Sequence, residues 1–159
     1  LVTVDGDLGL RAGLAQDWEN PDARTWLFRL RPGVKFQSGR PLRARDVVYS
    51  LKRTIESAGE ASLAPYVEDV SAPDEGTVRI RTFHPFSALL NKLRFALIVP
   101  EGATGEAFAQ GGDGTGPYRV DAWKKGEWIR FRRHEGYWGP APALAGTFRR
   151  GLVMFWASS

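Results

Sequence analysis

Gly112, Gly114 and Gly116 open the stretch GDGTGPYRVDAW, residues 112–123, and a glycine-rich loop is one way a chain cradles phosphate. A dinucleotide loop needs G-x-G-x-x-G between a strand and a helix, so that amides at the helix start face the pyrophosphate. Here Pro117 stands in the place of the third glycine. Beyond it Tyr118, Val120 and Ala122 alternate with Arg119, Asp121 and Trp123, a period of two that predicts a strand. No Gly-Lys-Ser/Thr follows, so a P-loop is excluded too. Other catalytic sets are equally incomplete. The chain has no cysteine, which removes thiolate catalysis, disulfides and Cys-based metal sites. It has no G-x-S-x-G, and nucleophilic catalysis needs a nucleophile with its base. Glu68 and Asp69 are adjacent carboxylates, but neighbours on a strand point to opposite faces and cannot work as a pair. His84 and His134 stand far apart, as surface or hydrogen-bonded residues rather than metal ligands. The expectation is a protein that is not an enzyme and carries neither metal nor cofactor.

The totals bound the rest. The 159 residues suffice for one core or two small lobes, and 43% hydrophobic with 25% charged residues is ordinary globular composition. No apolar run approaches the length of a membrane span, and no signal-peptide pattern is present. The formal net charge of +4 is unevenly spread. Residues 24–53 carry nine Lys/Arg against Asp46 alone, and residues 54–78 carry six acids and no base. The first block reads either as a nucleic-acid surface or as a solvated face partly neutralised by the acidic block. No nucleic-acid motif accompanies it, which favours the second.

These residues need elements to hold them. Trp18 is expected as a buried anchor in the mixed segment 14–19, with a turn at Asn20-Pro21-Asp22. Trp26, Phe28 and Leu30 alternate with Arg29 and Arg31, which predicts a half-buried strand. Pro32-Gly33 has the order of a type II turn, and Ser38-Gly39 turns again after an extended 34–36. Ala44, Val47, Val48, Leu51 and Ile55 form the apolar stripe of a helix over about 44–57, ended near Gly59. Asp46 complements its dipole, while Arg43 makes a poor cap. Strands are predicted at 67–70 and 77–82, a helix at 86–93 after Pro85, and a buried strand at 95–99, FALIV. Residues 101–116 read as a linker, and 118–123 with 128–133 as a hairpin whose Ile129 and Phe131 face inward. Trp18, Trp26, Tyr118 and Trp138 are expected as packing aromatics.

Three blocks together resemble one family, the extracytoplasmic solute-binding proteins of peptide and nickel ABC importers, family 5. LAQDWENPDARTWLFRLRPGVKFQSGRPLRARDVVYSLKR, residues 14–53, is similar to the family's LA-x-x-W-E followed by T-W/Y-x-F-x-L-R-x-G-V-K-F-x-x-G-x-P-x-x-A-x-D-V-x-x-S. GTGPY, residues 114–118, and HEGYWGPAPAL, residues 134–144, match two further motifs in the same order. Arg43 departs from a common Thr and Ser38 from a common Asp. The tail GTFRRGLVMFWASS departs from the family's continuation after Phe148, which leaves open an artificial end, a truncated gene or a shifted frame.

The resemblance implies an α+β chain of the periplasmic-binding-protein-like type II fold (cluster C). It would comprise the additional mixed α/β subdomain over 1–100, a crossover linker over 101–116, and over 117–159 the incomplete hairpin start of the first lobe. It implies the substrate-binding component of an ABC importer, with a peptide or related small molecule as ligand and a membrane permease as partner. The place would be periplasmic or extracytoplasmic, with lipid anchoring through a missing N-terminus as one form. The same fold also serves as the ligand-sensing domain of transcriptional regulators, in which case a helix-turn-helix would lie outside this chain. Site residues carry over as Tyr66, in the loop after the helix, and Arg94 with Phe95, just before the apolar segment. Arg94 would pair with an acidic ligand or a peptide C-terminus. A lone piece of such a fold is expected to self-associate through uncovered apolar faces.

Overall fold

The structure is a computed structural model and describes residues 1–4, 7, 9–56, 62–106, 112–140, 145–149 and 152–156. The chain forms two compact units, Leu1–Pro32 with Leu42–Glu101, and Gly33–Pro41 with Gly102–Ser159. The helix stop expected at Gly59 and the end of the third motif, 141–144, lie outside the described residues.

The first unit begins with a two-stranded ribbon of β1 (Val2–Val4) and β2 (Leu10–Ala12). Its main sheet joins β3 (Ala15–Asp22), β4 (Thr25–Leu30), β5 (Val67–Ser71) and β6 (Thr77–Thr82) in the order β3-β4-β6-β5, all antiparallel. The alternation of β4 works as predicted: Trp26, Phe28 and Leu30 are buried while Arg29 is exposed. Helix α1 (Ala44–Glu56) packs over β5 and β6, with Ala44, Val47 and Leu51 fully buried beside Val78 and Ile80. Val48 and Ile55 are only half-buried; Asp46 and Ser50 take buried places on the helix instead.

Several sequence expectations need correction here. Residues 20–22 are not a turn. They continue β3, and the turn falls at Ala23-Arg24, with a bulge between Glu19 and Asp22. Pro21 is accommodated because β3 is an edge strand and the bulge spares a ladder bond. Trp18 is half-buried rather than a buried anchor. Glu68 and Asp69 do not point to opposite faces. A bulge between Val67 and Asp69 leaves both exposed, where Glu68 pairs with Arg81 at 3.1 Å and Asp69 with Arg79 at 3.6 Å. The helix expected over 86–93 is reduced to α2 (Leu89–Leu93).

The segment 95–99 is not a strand, and its reason lies on α1. Residues 96–100 run without a ladder partner. Val99 donates its amide to Ser50 Oγ at 2.9 Å, and Glu101 donates to Asp46 Oδ1 at 2.9 Å. Asp46 and Ser50 are one helical turn apart, so they meet alternate amides of an extended chain as a neighbouring strand would. Asp46 Oδ2 also accepts from the Arg43 amide at 2.9 Å. That is the acidic half of a capping box, and it supplies the helix start that Arg43's own side chain does not. Of the apolar run, Ala96, Ile98 and Val99 are buried, whereas Phe95 and Leu97 are exposed.

The second unit holds β7 (Tyr118–Lys124), β8 (Trp128–Arg133), β9 (Ala145–Arg149) and β10 (Leu152–Trp156) in the antiparallel order β10-β9-β8-β7. The predicted hairpin is β7–β8, turning through Gly126 at φ 85°. The tail departs from the family's sequence but still forms strands that extend this sheet. Residues 33–41 form a strap of this unit. Its turns rest on Gly33 at φ 75° and Gly39 at φ 88°, a left-handed region where glycine avoids a Cβ clash.

Candidate functional site

The glycine-rich loop is a junction in the second unit. Gly114 accepts from the Gln37 amide at 2.9 Å, and Tyr118 accepts from Gln37 Nε2 at 2.6 Å. Thr115 accepts from Trp138 Nε1 at 3.0 Å, and Pro117 accepts from the His134 amide at 2.9 Å. Asp113 takes the Ser38 amide at 2.9 Å and the Ser38 hydroxyl at 2.6 Å. A phosphate cradle presents amide donors to its ligand. This loop instead spends its carbonyls on the strap and on the HEGYW segment, so its glycines serve packing.

Four of the nine bases in the 24–53 block pair with acids among the described residues. Arg29 reaches Asp17 at 2.8 Å and Glu19 at 2.9 Å, and those bonds, Asp17's first, hold its guanidinium above the ordinary value. Arg43 pairs with Glu75, Arg45 with Glu101 at 3.4 Å, and Arg24 approaches Glu68 at 4.0 Å. These exposed pairs contribute little stability and offset part of the block's charge.

The three residues singled out from sequence all fall in the first unit, on the stretch that closes its core. Thr82, fully buried at the end of β6, donates its hydroxyl to His84 O at 2.7 Å and fixes the turn that follows. The Phe83 amide then donates to Tyr66 O at 3.1 Å. This brings the loop after β6 beside Tyr66, whose ring stacks on Phe86 at 4.3 Å with an interplanar angle of 3°. Helix α2 buries Leu89 and Leu93, which turns Lys92 outward over the Tyr66 ring, Nζ at 5.5 Å from its centroid. One residue past α2 the Arg94 guanidinium lies 4.6 Å from the centroid of Phe95, itself 54% exposed. Arg94 and Phe95 are therefore a pair. Tyr66 belongs to a neighbouring trio with Phe86 and Lys92, and α2 carries cations to both groups.

Sequence reasoning missed Phe83, Phe86 and Lys92 as members of this surface. The string RTFHPF held a signal only in its composition, with two aromatics flanking His84 and Pro85 just past a strand. Chemically the surface offers two cations lying over aromatic rings. Among the described residues, Arg94 faces the Phe95 ring and no carboxylate, so its charge is open to an anion. A guanidinium over a ring still has N–H donors for a bidentate carboxylate. No cluster of three or more His, Cys, Asp or Glu is present among the described residues.

The model of the bacterial extracellular solute-binding proteins, family 5 (middle) matches residues 9–147. Protein XP55 of Streptomyces lividans is 34% identical over 155 residues, covering 91% of this chain and 28% of that protein. The glutathione-binding protein GsiB of Escherichia coli K12 is 31% identical over 149 residues, covering 88% of this chain and 29% of its own. Among solved structures, the binding protein MoaA of A. tumefaciens R10 in complex with mannopinic acid superposes with a TM-score of 0.80 at 32% identity, covering 91% of this chain and 32% of its own. The chain thus spans under a third of each of these three relatives.

Proposed function

Since the chain belongs to family 5 of the bacterial extracellular solute-binding proteins, we propose that it is part of the substrate-binding component of an ABC importer, capturing peptides or related small solutes without chemical change. The observation that carries the reading is the family match over residues 9–147, most of the chain. The protein would act outside the cytoplasmic membrane, lipid anchoring being one way to hold it there, and would pass its ligand to a membrane permease. No described helix is long and apolar enough to cross a membrane.

The surface around α2 supplies the binding groups in this reading. Arg94 takes a ligand carboxylate, the Phe95 ring lies beside the guanidinium, and Tyr66 stacked on Phe86 offers an aromatic wall. Small acids suit such a set, in keeping with the glutathione named for GsiB and the mannopinic acid held by MoaA. Catalysis has no place in it. The domain boundaries expected from sequence, with an additional subdomain followed by the start of a lobe, also belong to this proposal.

The test is a thermal melt of the chain alone, with glutathione, and with a library of short peptides. A ligand at a hundredfold excess over Kd stabilises by about 2.7 kcal/mol, or roughly 5–10 °C in a chain of this size. A rise of that order which disappears in Arg94→Ala supports the assignment. A melt indifferent to every acid offered means that these residues are scaffold.

A further inference from the structure

We propose that the tip of the β7–β8 hairpin docks on an anionic lipid surface. Residues 118–133 carry six Lys/Arg (Arg119, Lys124, Lys125, Arg130, Arg132, Arg133) against Asp121 and Glu127, a net of +4, equal to the formal charge of the entire chain. The remaining residues are therefore neutral in sum, the surplus of the 24–53 block being offset by acids elsewhere in the chain. The hairpin concentrates positive charge, with six bases against two acids. Asp121 is asked to serve both Arg130 and Arg132, the latter at 2.8 Å, so one carboxylate faces two guanidiniums.

The tip sequence is Trp-Lys-Lys-Gly-Glu-Trp, residues 123–128. Trp123 is 48% exposed, and β7 is an edge strand of its sheet. Lys124 is tied to Glu127 at 2.8 Å across the Gly126 turn, whereas Lys125 extends from the turn with no partner among the described residues. Trp128 is half-buried, with the Arg130 guanidinium 5.9 Å from its ring. An exposed indole beside ammonium groups suits the headgroup layer of a membrane, where the ring sits at the polar boundary and lysine meets the negative surface. An extracellular binding protein that serves a membrane transporter works beside such a surface. The choice of a lipid partner rests on the proposed function, but it does not depend on which solute is bound.

The test is flotation of the 159-residue chain with phosphatidylcholine vesicles, made with and without one third phosphatidylglycerol. Binding is expected with the anionic vesicles only, and it should fall as salt rises. Each basic group near such a surface is worth about fivefold in affinity, so Lys125→Glu, a change of two charges, should lower partitioning about 25-fold. Trp123→Ser should weaken it as well. Lys52→Glu removes the same charge from the exposed face of α1 in the other unit and should leave partitioning within about twofold. Both lysines are exposed, and a far-UV spectrum confirms that each variant folds. Equal losses in Lys125→Glu and Lys52→Glu would overturn the proposal, as would no binding to anionic vesicles. Capture of an acidic protein by the hairpin in place of lipid would overturn it too.

Discussion

Asp46→Ala should lower the melting temperature of the chain by about 6–12 °C, through a loss of about 3 kcal/mol. The carboxylate is fully buried and accepts two backbone amides, Arg43 and Glu101, both at 2.9 Å. A hydrogen bond to a charged group nets about 1.5–3 kcal/mol. The low end applies here because both amides belong to residues near solvent, where water replaces part of what is lost. Two such bonds give about 3 kcal/mol, and each kcal/mol moves the melt of a chain this size by about 2–4 °C. Asp46→Asn keeps one carbonyl acceptor and turns an NH₂ toward the other amide, so about half the loss should return. Thermal melts followed by far-UV ellipticity give the magnitude. Hydrogen exchange gives the place: protection should fall first at Val99 and Glu101, the two amides held by α1. A drop under about 2 °C would refute the reasoning. So would exchange that rises evenly across the first unit, since the carboxylate would then be neither cap nor clasp.

The Asp22 carboxyl is held below the usual carboxylate range by the Arg24 amide and then Thr25, and Asp74 by the Gly76 amide and then Thr77. With folded values depressed, their stabilisation is complete above the unfolded value near 3.9 and is lost as pH falls through the folded values, so melts should drop below about pH 4 and drop less in Asp22→Asn and Asp74→Asn. Ser38 and Asp113 should couple by about 1 kcal/mol in a double-mutant cycle, read from melts of Ser38→Ala, Asp113→Ala and the pair. Gly33→Ala meets nothing within 4 Å, so its cost is the φ of 75° alone. Denaturant titration should show about 1 kcal/mol, and less for Gly33→Asn.

The parts of the fold that periodicity governs were legible. Strand β4, helix α1 and the β7–β8 hairpin follow from which positions are apolar and how far apart they stand. What escaped depends on where polar atoms find partners. FALIV has every mark of a buried strand, yet Val99 gives its amide to Ser50 and Glu101, just past the run, gives its own to Asp46, and nothing in the run itself reveals that. Pro21 announces a turn, but an edge strand with a bulge tolerates it. Glu68 and Asp69 share a face because one extra residue shifts the register, which alternation cannot show. At the candidate site, Arg94 and Phe95 meet because they are neighbours in sequence. The partners of Tyr66 come from across the core, through the turn that Thr82 fixes, and no local pattern names them.

The strap at 33–41 also sets an order of events at the ribosome. Ser38 and Asp113 lie 75 positions apart, and synthesis runs at about 5–20 residues per second, so the strap waits about 4–15 s for its partner. By then every residue of the first unit has been made, while the strap's two ends, Pro32 and Leu42, are already tethered within it. The nascent chain thus carries a pre-anchored clip toward which the glycine loop arrives. Severing the gene at Gly102 would produce two polypeptides of which the later one lacks its clip from birth.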